Sequence, residues 1–474
     1  MAGMHSLGKA PRAALFGIGY LLCGTAMANA QTPTDSPAQE PTENTLPGSD
    51  TALVPPQDDP YLRLPDATNR VDPLMQRYLP TSRSLGQTAR AETVMQRERP
   101  GYDAQGIPIG SFTWFPNITT SAAATNNVFR QEDGQSDAFL TGRAEWVLRS
   151  DWTRHAFSFD GIVEQDVHAR YASENIFNYR ARFNGRFDLS ASDFIAMEAV
   201  QQRITQDRGS TSDILQTREP ISFDNTGFML RSQLGGQSRV QGQVEVAYVH
   251  RKYNRAETPD GEVYDLSLRN LDDYRVTGQL GYRLGAMTNL FVSGTHTWRQ
   301  FPNLVARDAS IVELLGGVDG NVTPLIRGRL AVGYISANFE SPLIDTRSAV
   351  AVDVRMDFLV TDLTTVRLTA RRDFRNVVSV NSSAALATSV RAGLDHELLR
   401  NVILSPVIGY EKADYVDDER KADLITAELG ARWLINRRLR ANGLVQHRNR
   451  NVNGFESSRN FSDISVTAGL TFQL

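Results

Sequence analysis

The residues best placed to do chemistry are arginines that recur on one parity. In "YRARFNGRFDL", Arg180, Arg182 and Arg186 alternate with Tyr179, Ala181, Phe183, Gly185 and Phe187. "VRLTARRDFR" repeats the arrangement with Arg367 and Arg371, and a third cluster gathers Arg438, Arg440, Gln446, Arg448 and Arg450. A guanidinium is planar and always charged, and it grips a carboxylate or phosphate through two parallel hydrogen bonds. Rows of them facing a lumen would favour anions, an acidic polysaccharide included. Carboxylates share the same parity, among them Glu145, Asp160, Glu164, Glu245, Asp353, Asp395 and Glu428. The plainer reading is therefore a ladder of cross-strand pairs that satisfy one another and stiffen a wall.

Catalysis has little to work with. His155, His168, His250, His296, His396 and His447 are scattered, with no Ser-His or Asp-His spacing and no paired metal-ligand spacing. The expectation is a protein that is not an enzyme, with no catalytic residues, no metal and no cofactor.

Arginines and acids can share a face only if long strands hold them there, because successive side chains of a strand point to opposite sides. "VAVDVRMDF" sets Val350, Val352, Val354, Met356 and Phe358 against Ala351, Asp353, Arg355 and Asp357. "SDISVTAGLTFQL" does the same at the end of the sequence, with Ile464, Val466, Ala468, Leu470, Phe472 and Leu474 on the apolar side. Such segments run 11 to 17 residues from Ile107 onward. Strands of a soluble sandwich are about 5–6 residues long, so these are too long for one.

The links between segments alternate in length. "SDW", "SASD", "GGQS", "AMT", "TPL", "TDL", "RN" and "NRR" are short. Between them lie longer links at 171–178, 208–220, 254–267, 302–309, 341–347, 377–383, 417–421 and 451–459. Short turns alternating with long loops mark an outer-membrane barrel, with the short turns on the periplasmic side. The fold class expected is all-β, a transmembrane antiparallel up-and-down β-barrel of 18 strands. The first strand lies near 109–129 and the last at 460–474. Sixteen strands is the alternative, because the fifth, ninth and tenth segments are weakly patterned. Trp114, Trp146, Trp152 and Trp433 near one set of strand ends, and Trp298 near the other, suit interfacial girdles.

Composition agrees. The net charge is −4, the hydrophobic fraction 41 %, and only four of the 50 basic residues are lysine. A mildly acidic chain with dispersed basic residues excludes a nucleic-acid partner. No run of 18 apolar residues follows the first 30, so spanning helices are excluded. Residues 1–30 read as a signal peptide: Lys9 and Arg12, an apolar run, then Ala28-Asn29-Ala30 as the cleavage site. Its removal takes the net charge from −4 to −6 and removes Cys23, the only cysteine. Residues 31–106 are rich in proline and polar residues and are expected to be mostly disordered, a segment reaching into the periplasm. They are too short for the plug of a TonB-dependent receptor. The three domains are thus 1–30, 31–106 and the barrel, 107–474.

Residues 97–155 carry the most specific pattern: Gly106-Ile107-Pro108-Ile109-Gly110-Ser111-Phe112, Pro116, Asn126-Asn127-Val128-Phe129 and Arg149-Ser150-Asp151-Trp152. This stretch resembles the opening of the family called putative β-barrel porin 2. The resemblance implies a barrel in the outer membrane of a Gram-negative cell, encoded among exopolysaccharide and capsule genes. It implies a porin-like channel for polysaccharide export, working with periplasmic or inner-membrane export components, with the polysaccharide as transported ligand. A passive diffusion porin and a non-conducting scaffold barrel are the alternatives. Thr467, Gly469, Phe472 and Leu474 resemble the carboxyl-terminal signal read by the barrel-assembly machinery, although that pattern prefers a terminal aromatic. Lipid of the outer membrane is the remaining partner.

Overall fold

The computed structural model describes residues 92–211, 217–236, 238–285, 288–377, 382, 384–416, 419–453 and 459–474. The signal peptide, its cleavage residues Ala28 and Ala30, and residues 31–91 lie outside the described residues.

A short arm, β1 (Ile107–Ile109), folds back on the first barrel strand, β2 (Phe112–Thr125). The wall continues through β3 (Asp137–Ser150), β4 (Ala156–His168), β5 (Ile176–Asp188), β6 (Phe194–Thr205), β7 (Ser222–Leu234) and β8 (Val240–Tyr253). A small hairpin, β9 (Ala256–Glu257) with β10 (Val263–Tyr264), rises from the next loop. The wall resumes at β11 (Leu271–Arg283), β12 (Thr288–Gln300), β13 (Ala309–Thr323), β14 (Ile326–Phe339) and β15 (Arg347–Thr361). It finishes with β16 (Thr364–Asn376), β17 (Ala384–Leu399), β18 (Val402–Tyr415), β19 (Lys421–Leu434), β20 (Leu439–Asn453) and β21 (Phe461–Gln473).

Each strand pairs antiparallel with its sequence neighbours. The ladder closes where β21 meets β2, from Asn117↔Gln473 to Thr125↔Ser465. Beyond that stretch β1 takes the place of β21 beside Phe112–Trp114, so the edge of β2 is covered there too. Eighteen strands form the wall, as the alternation predicts. The first is shorter than expected: Asn127 Nδ2 donates to the carbonyls of Gln131 and Ser462, and Arg130 takes a positive φ of 54°, which ends the strand at Thr125.

The strand rhythm places apolar side chains outside. Phe177, Phe228, Leu280, Val292, Val332, Ile408, Leu470 and Phe472 are all exposed there, an area far larger than a soluble surface tolerates. Trp114 and Trp433 sit on this face near the short-turn rim, Trp152 lies in a short turn, and Trp298 is near the long-loop rim. Trp146 covers Gly161, where a Cβ would come within 2.0 Å of the indole. Charged side chains of the outward parity gather toward the long-loop rim: Lys252, Lys412 and Lys421, with Arg203, Asp224, Asp272, Asp414 and Asp423.

Toward the long-loop end of β13 and β14 much of the inward parity is apolar as well. Ile311, Leu315, Ala331, Ile335 and Ala337 are buried in one cluster, opposite the exposed Leu314, Leu330 and Val332. Phe291 on β12 joins that cluster, and Phe194, Val200 and Ile204 line β6. The fifth and tenth segments, β6 and β13, are weakly patterned for this reason: where a strand carries apolar residues on both faces the alternation fades. On the ninth, β12, the outward Gly294 and His296 and the inward Phe291 blur it instead.

Candidate passage through the barrel

The inward face of the wall is an ion-paired ladder. Arg143 bonds Glu164 at 2.6 Å and also holds Glu145. Arg180 and Arg182 share Asp160 at 3.2 and 2.9 Å. Arg231 and Arg275 converge on Glu245, and Arg299 grips Asp273 through two bonds of 2.8 Å. Asp353 is ringed by Arg329, Arg355 and Arg371, at 3.1, 2.9 and 3.8 Å. Arg371 also reaches Glu313 at 2.9 Å, and Arg375 spans Asp373 and Glu411 at 3.2 and 2.7 Å. Most of these pairs join neighbouring strands, as opposite charges on one sheet face do. Arg143–Glu145, Arg355–Asp353 and Arg375–Asp373 lie within one strand, and Arg371 reaches from β16 to Glu313 on β13.

The arginines singled out from sequence fall unevenly on this ladder. Arg180 and Arg182 belong to it, while Arg186 pairs with Asp188 of its own strand at 2.6 Å and stacks on Phe194. Arg367 bonds Asp395 at 2.9 Å. Arg440 is buried on the inward face of β20, and Arg448 bonds Asp207 at 2.6 Å. Arg438 is not on the lumen face. It sits exposed in the turn between β19 and β20, its amide bonded to Asn436 Oδ1, because period-two parity carries on past the strand end while the chain does not. In the terminal pattern, Thr467 and Gly469 face inward, Phe472 faces outward, and the Leu474 amide donates to the Pro116 carbonyl.

Two stretches that sequence alone did not single out enter the barrel. The first is residues 92–106, the end of the segment expected to be disordered. It lies across the short-turn mouth. Val94 and Met95 pack on Ile403 and Leu434, and the Val94 amide donates to Thr365 Oγ1 at 3.0 Å. Arg99 is buried, bonding Glu397 at 2.8 Å and the Val94 carbonyl at 2.9 Å, and Arg97 reaches the same Glu397 at 3.2 Å. Gln96 accepts from Arg327, Arg437 holds the Pro100 carbonyl, and Gln473 the Tyr102 carbonyl. The segment thus touches the wall from β14 round to β21. It turns into β1 at Gly106, whose φ is +74° and where a Cβ would lie 2.5 Å from Thr113.

The second is the loop between β6 and β7. Its near end crosses to strands on the other side of the lumen. Asp207 pairs with Arg448, the carbonyls of Arg208 and Ser210 accept from Arg450 at 2.9 and 2.8 Å, and Thr211 bonds Glu411 and Tyr415. Arg208 holds Glu174 at 2.7 Å. Burial alone would raise the Asp207 carboxyl, but the guanidinium groups of Arg448 and Arg130 outweigh it and hold the acid well below the usual carboxylate range. The next loop follows suit: Arg269 reaches the Val377 carbonyl, and burial, with Arg307 nearby, pushes its pKa down to about 10. No signal in the sequence joins Asp207 to Arg448 or Thr211 to Glu411. The surplus acid Glu397, with no arginine level with it on the next strand, is the one hint that a basic residue must come from elsewhere.

An 18-stranded wall is wide enough for an aqueous channel. Its own chain narrows this one at both mouths. Comparison with known proteins came to the following. Residues 99–474 match the model of the family described as putative beta-barrel porin 2. No curated protein matches the chain. Among solved structures, the outer membrane protein OpdK of Pseudomonas aeruginosa is similar at 12 % identity and a TM-score of 0.40, over 76 % of this chain and 99 % of that one. The siderophore receptor PirA of the same organism is similar at 10 % identity and 0.39, over 76 % and 80 %.

Proposed function

The chain belongs to the putative beta-barrel porin 2 family of outer-membrane β-barrels, and from that premise we propose that it is a gated channel for export of an exopolysaccharide or capsule. The observation that carries this reading is residues 92–106 lying across the short-turn mouth, anchored by the buried Arg99–Glu397 pair. An open diffusion porin has no use for such an occupant, whereas an export channel must stay shut until its cargo arrives.

In this reading the short turns and residues 31–91 are on the periplasmic side, from which export components deliver the polymer. A partner that pulls on residues 31–91 withdraws residues 92–106 and opens the mouth. The strand β21 is what the barrel-assembly machinery reads before β2 pairs with it. The charged outward rim at the long loops suits the polar headgroups of the outer leaflet.

The test is planar-bilayer conductance of the mature protein with and without residues 31–104, beside the surface polysaccharide of a deletion strain. Low conductance that rises on truncation, together with loss of polysaccharide on gene deletion, is the expected result. Conductance with an unchanged cell surface indicates a passive diffusion porin. No conductance from either form indicates a scaffold barrel.

A further inference from the structure

Formal charge is nearly balanced along the inner wall, yet the two signs do not stand at the same depth. The side chain of Arg367 is 40 % exposed over an Asp395 that is 1 % exposed. Arg391 is 39 % exposed and its partner Glu428 15 %. Arg375 is 33 % exposed beside Asp373 at 6 %. Arg182 over Asp160, and Arg355 over Asp353, repeat the order. The cause is length. An aspartate carries one methylene and rests on the sheet, while an arginine, rooted on the next strand like Arg367 or two places along the same strand like Arg375, must arch over it to make the bond. A pair built this way is a dipole with its positive end toward the axis. Within a few ångströms of the wall, inside a Debye length of about 8 Å, the nearer charge dominates.

Arg231 and Glu245 are equally buried and Arg299 and Asp273 nearly so. The pairs that run the other way lie at the mouths: Arg99 with Glu397, Arg149 with Asp151, Arg327 with Asp357 and Arg448 with Asp207. Arg327 is less exposed than Asp357 and also bonds Gln96 of the inserted segment. Arg448 is less exposed than Asp207, which belongs to the inserted loop. For the arginines of β16 and β17 the order holds throughout. The most exposed guanidiniums, Arg367 and Arg391, share a side of the lumen where the neighbouring wall is small: Gly393, Gly409 and Gly430 all face inward. Arg367, Arg371 and Arg375 stand on one strand, and residues four apart on a strand are separated by about 13 Å.

We propose that this half of the lumen, along β16 and β17, is an anion path, and that the cargo is a carboxylate-bearing solute handed from Arg367 and Arg391 toward Arg371 and Arg375. The inference rests on the reading of the protein as a conducting channel and adds the sign of what it conducts. A lumen with balanced charge and no such layering has no preference.

The experiment removes charge without changing the total. In R367Q/D395N/R391Q/E428Q each lost arginine is matched by a lost acid, so no buried carboxylate is left unpaired. The reversal potential in a potassium chloride gradient is measured for wild type and variant, with heat-modifiable gel mobility as the check on folding. The expected result is chloride preference in the wild type, lost severalfold in the variant, with polygalacturonate blocking the wild-type current more strongly than galacturonate. Should the variant misfold, R367K/R391K keeps the charges and is expected to keep the preference, whereas R367Q alone should weaken it. Cation preference in the wild type, or an unchanged reversal potential in a folded variant, overturns the anion path and leaves the channel standing. Absence of current even after truncation of residues 31–104 removes both.

Discussion

The two mouths of the barrel are narrowed by different kinds of chain, and the difference separates what can be withdrawn from what can only swing. At the short-turn mouth the occupant is a terminal segment, anchored by apolar contacts of Val94 and Met95 and by Arg99 on Glu397. It is covalently tied to the wall only at Gly106, so it can leave whole. At the long-loop mouth the occupant is part of a loop whose flanks continue into β6 and β7. It is held by charge and hydrogen bonds, Asp207 on Arg448 and Thr211 on Glu411, and it can only fold back. One occupant is suited to withdrawal as a unit, the other to control by solution conditions.

The largest effect that would break this contrast is truncation. Removal of residues 31–104 should raise conductance severalfold and leave heat-modifiable mobility intact, since the ladder closes through β2 and β21 without that segment. If instead the barrel fails to form, residues 92–104 are structural and the two mouths are not different in kind.

Next in size is the loop. In D207N the Arg448 side chain loses one anionic partner, although Asp463 stays near at 3.4 Å. Breaking a buried ion pair from one side costs about 3–5 kcal/mol, and the exposure of Asp207 brings the expectation to the low end or below. Single-channel traces should show frequent transitions to a larger state in D207N and few in the wild type.

Acid should do the same to the wild type. Asp207 is held below the usual carboxylate range, so its contribution to docking is present in full above its ordinary pKa of about 3.9 and is lost as pH falls through the lowered value. Opening on lowering the pH below about 4, on the long-loop side only, would sharpen the comparison. Equal response on both sides would blunt it.

The smallest expected effect is a control. Arg218 pairs with Glu257 at 3.8 Å with both side chains largely in solvent. Such pairs contribute about 0–1 kcal/mol, and R218A should leave conductance and its pH response unchanged.

Most of the wall was legible because lipid outside and water inside impose period two on every strand. Legibility failed where that contrast is absent. On β13 the inward Ile311 and Leu315 are buried in an apolar cluster, so inside and outside look alike in sequence. Arg438 continues the parity of Arg440 and Arg448 but stands in a turn, since alternation marks a face and not a strand's end. The contents of the lumen were the least legible part. Arg99 and Glu397 are 298 positions apart, and Thr211 and Glu411 are 200 apart. Local composition classed residues 31–106 as one polar segment, and the few side chains that tie down its end, Val94, Met95 and Arg99, are too sparse to alter a composition.

The outward rim at the long loops carries one further implication. Lys252, Lys412 and Lys421 are the only lysines beyond the first 30 residues, and all three stand there. Lysine side chains are therefore segregated to a single pole of the wall. An impermeant amine-directed ester applied to whole cells would tag every lysine of a correctly inserted barrel and none of an inverted one, so side-chain stoichiometry alone reads out which way up the protein sits.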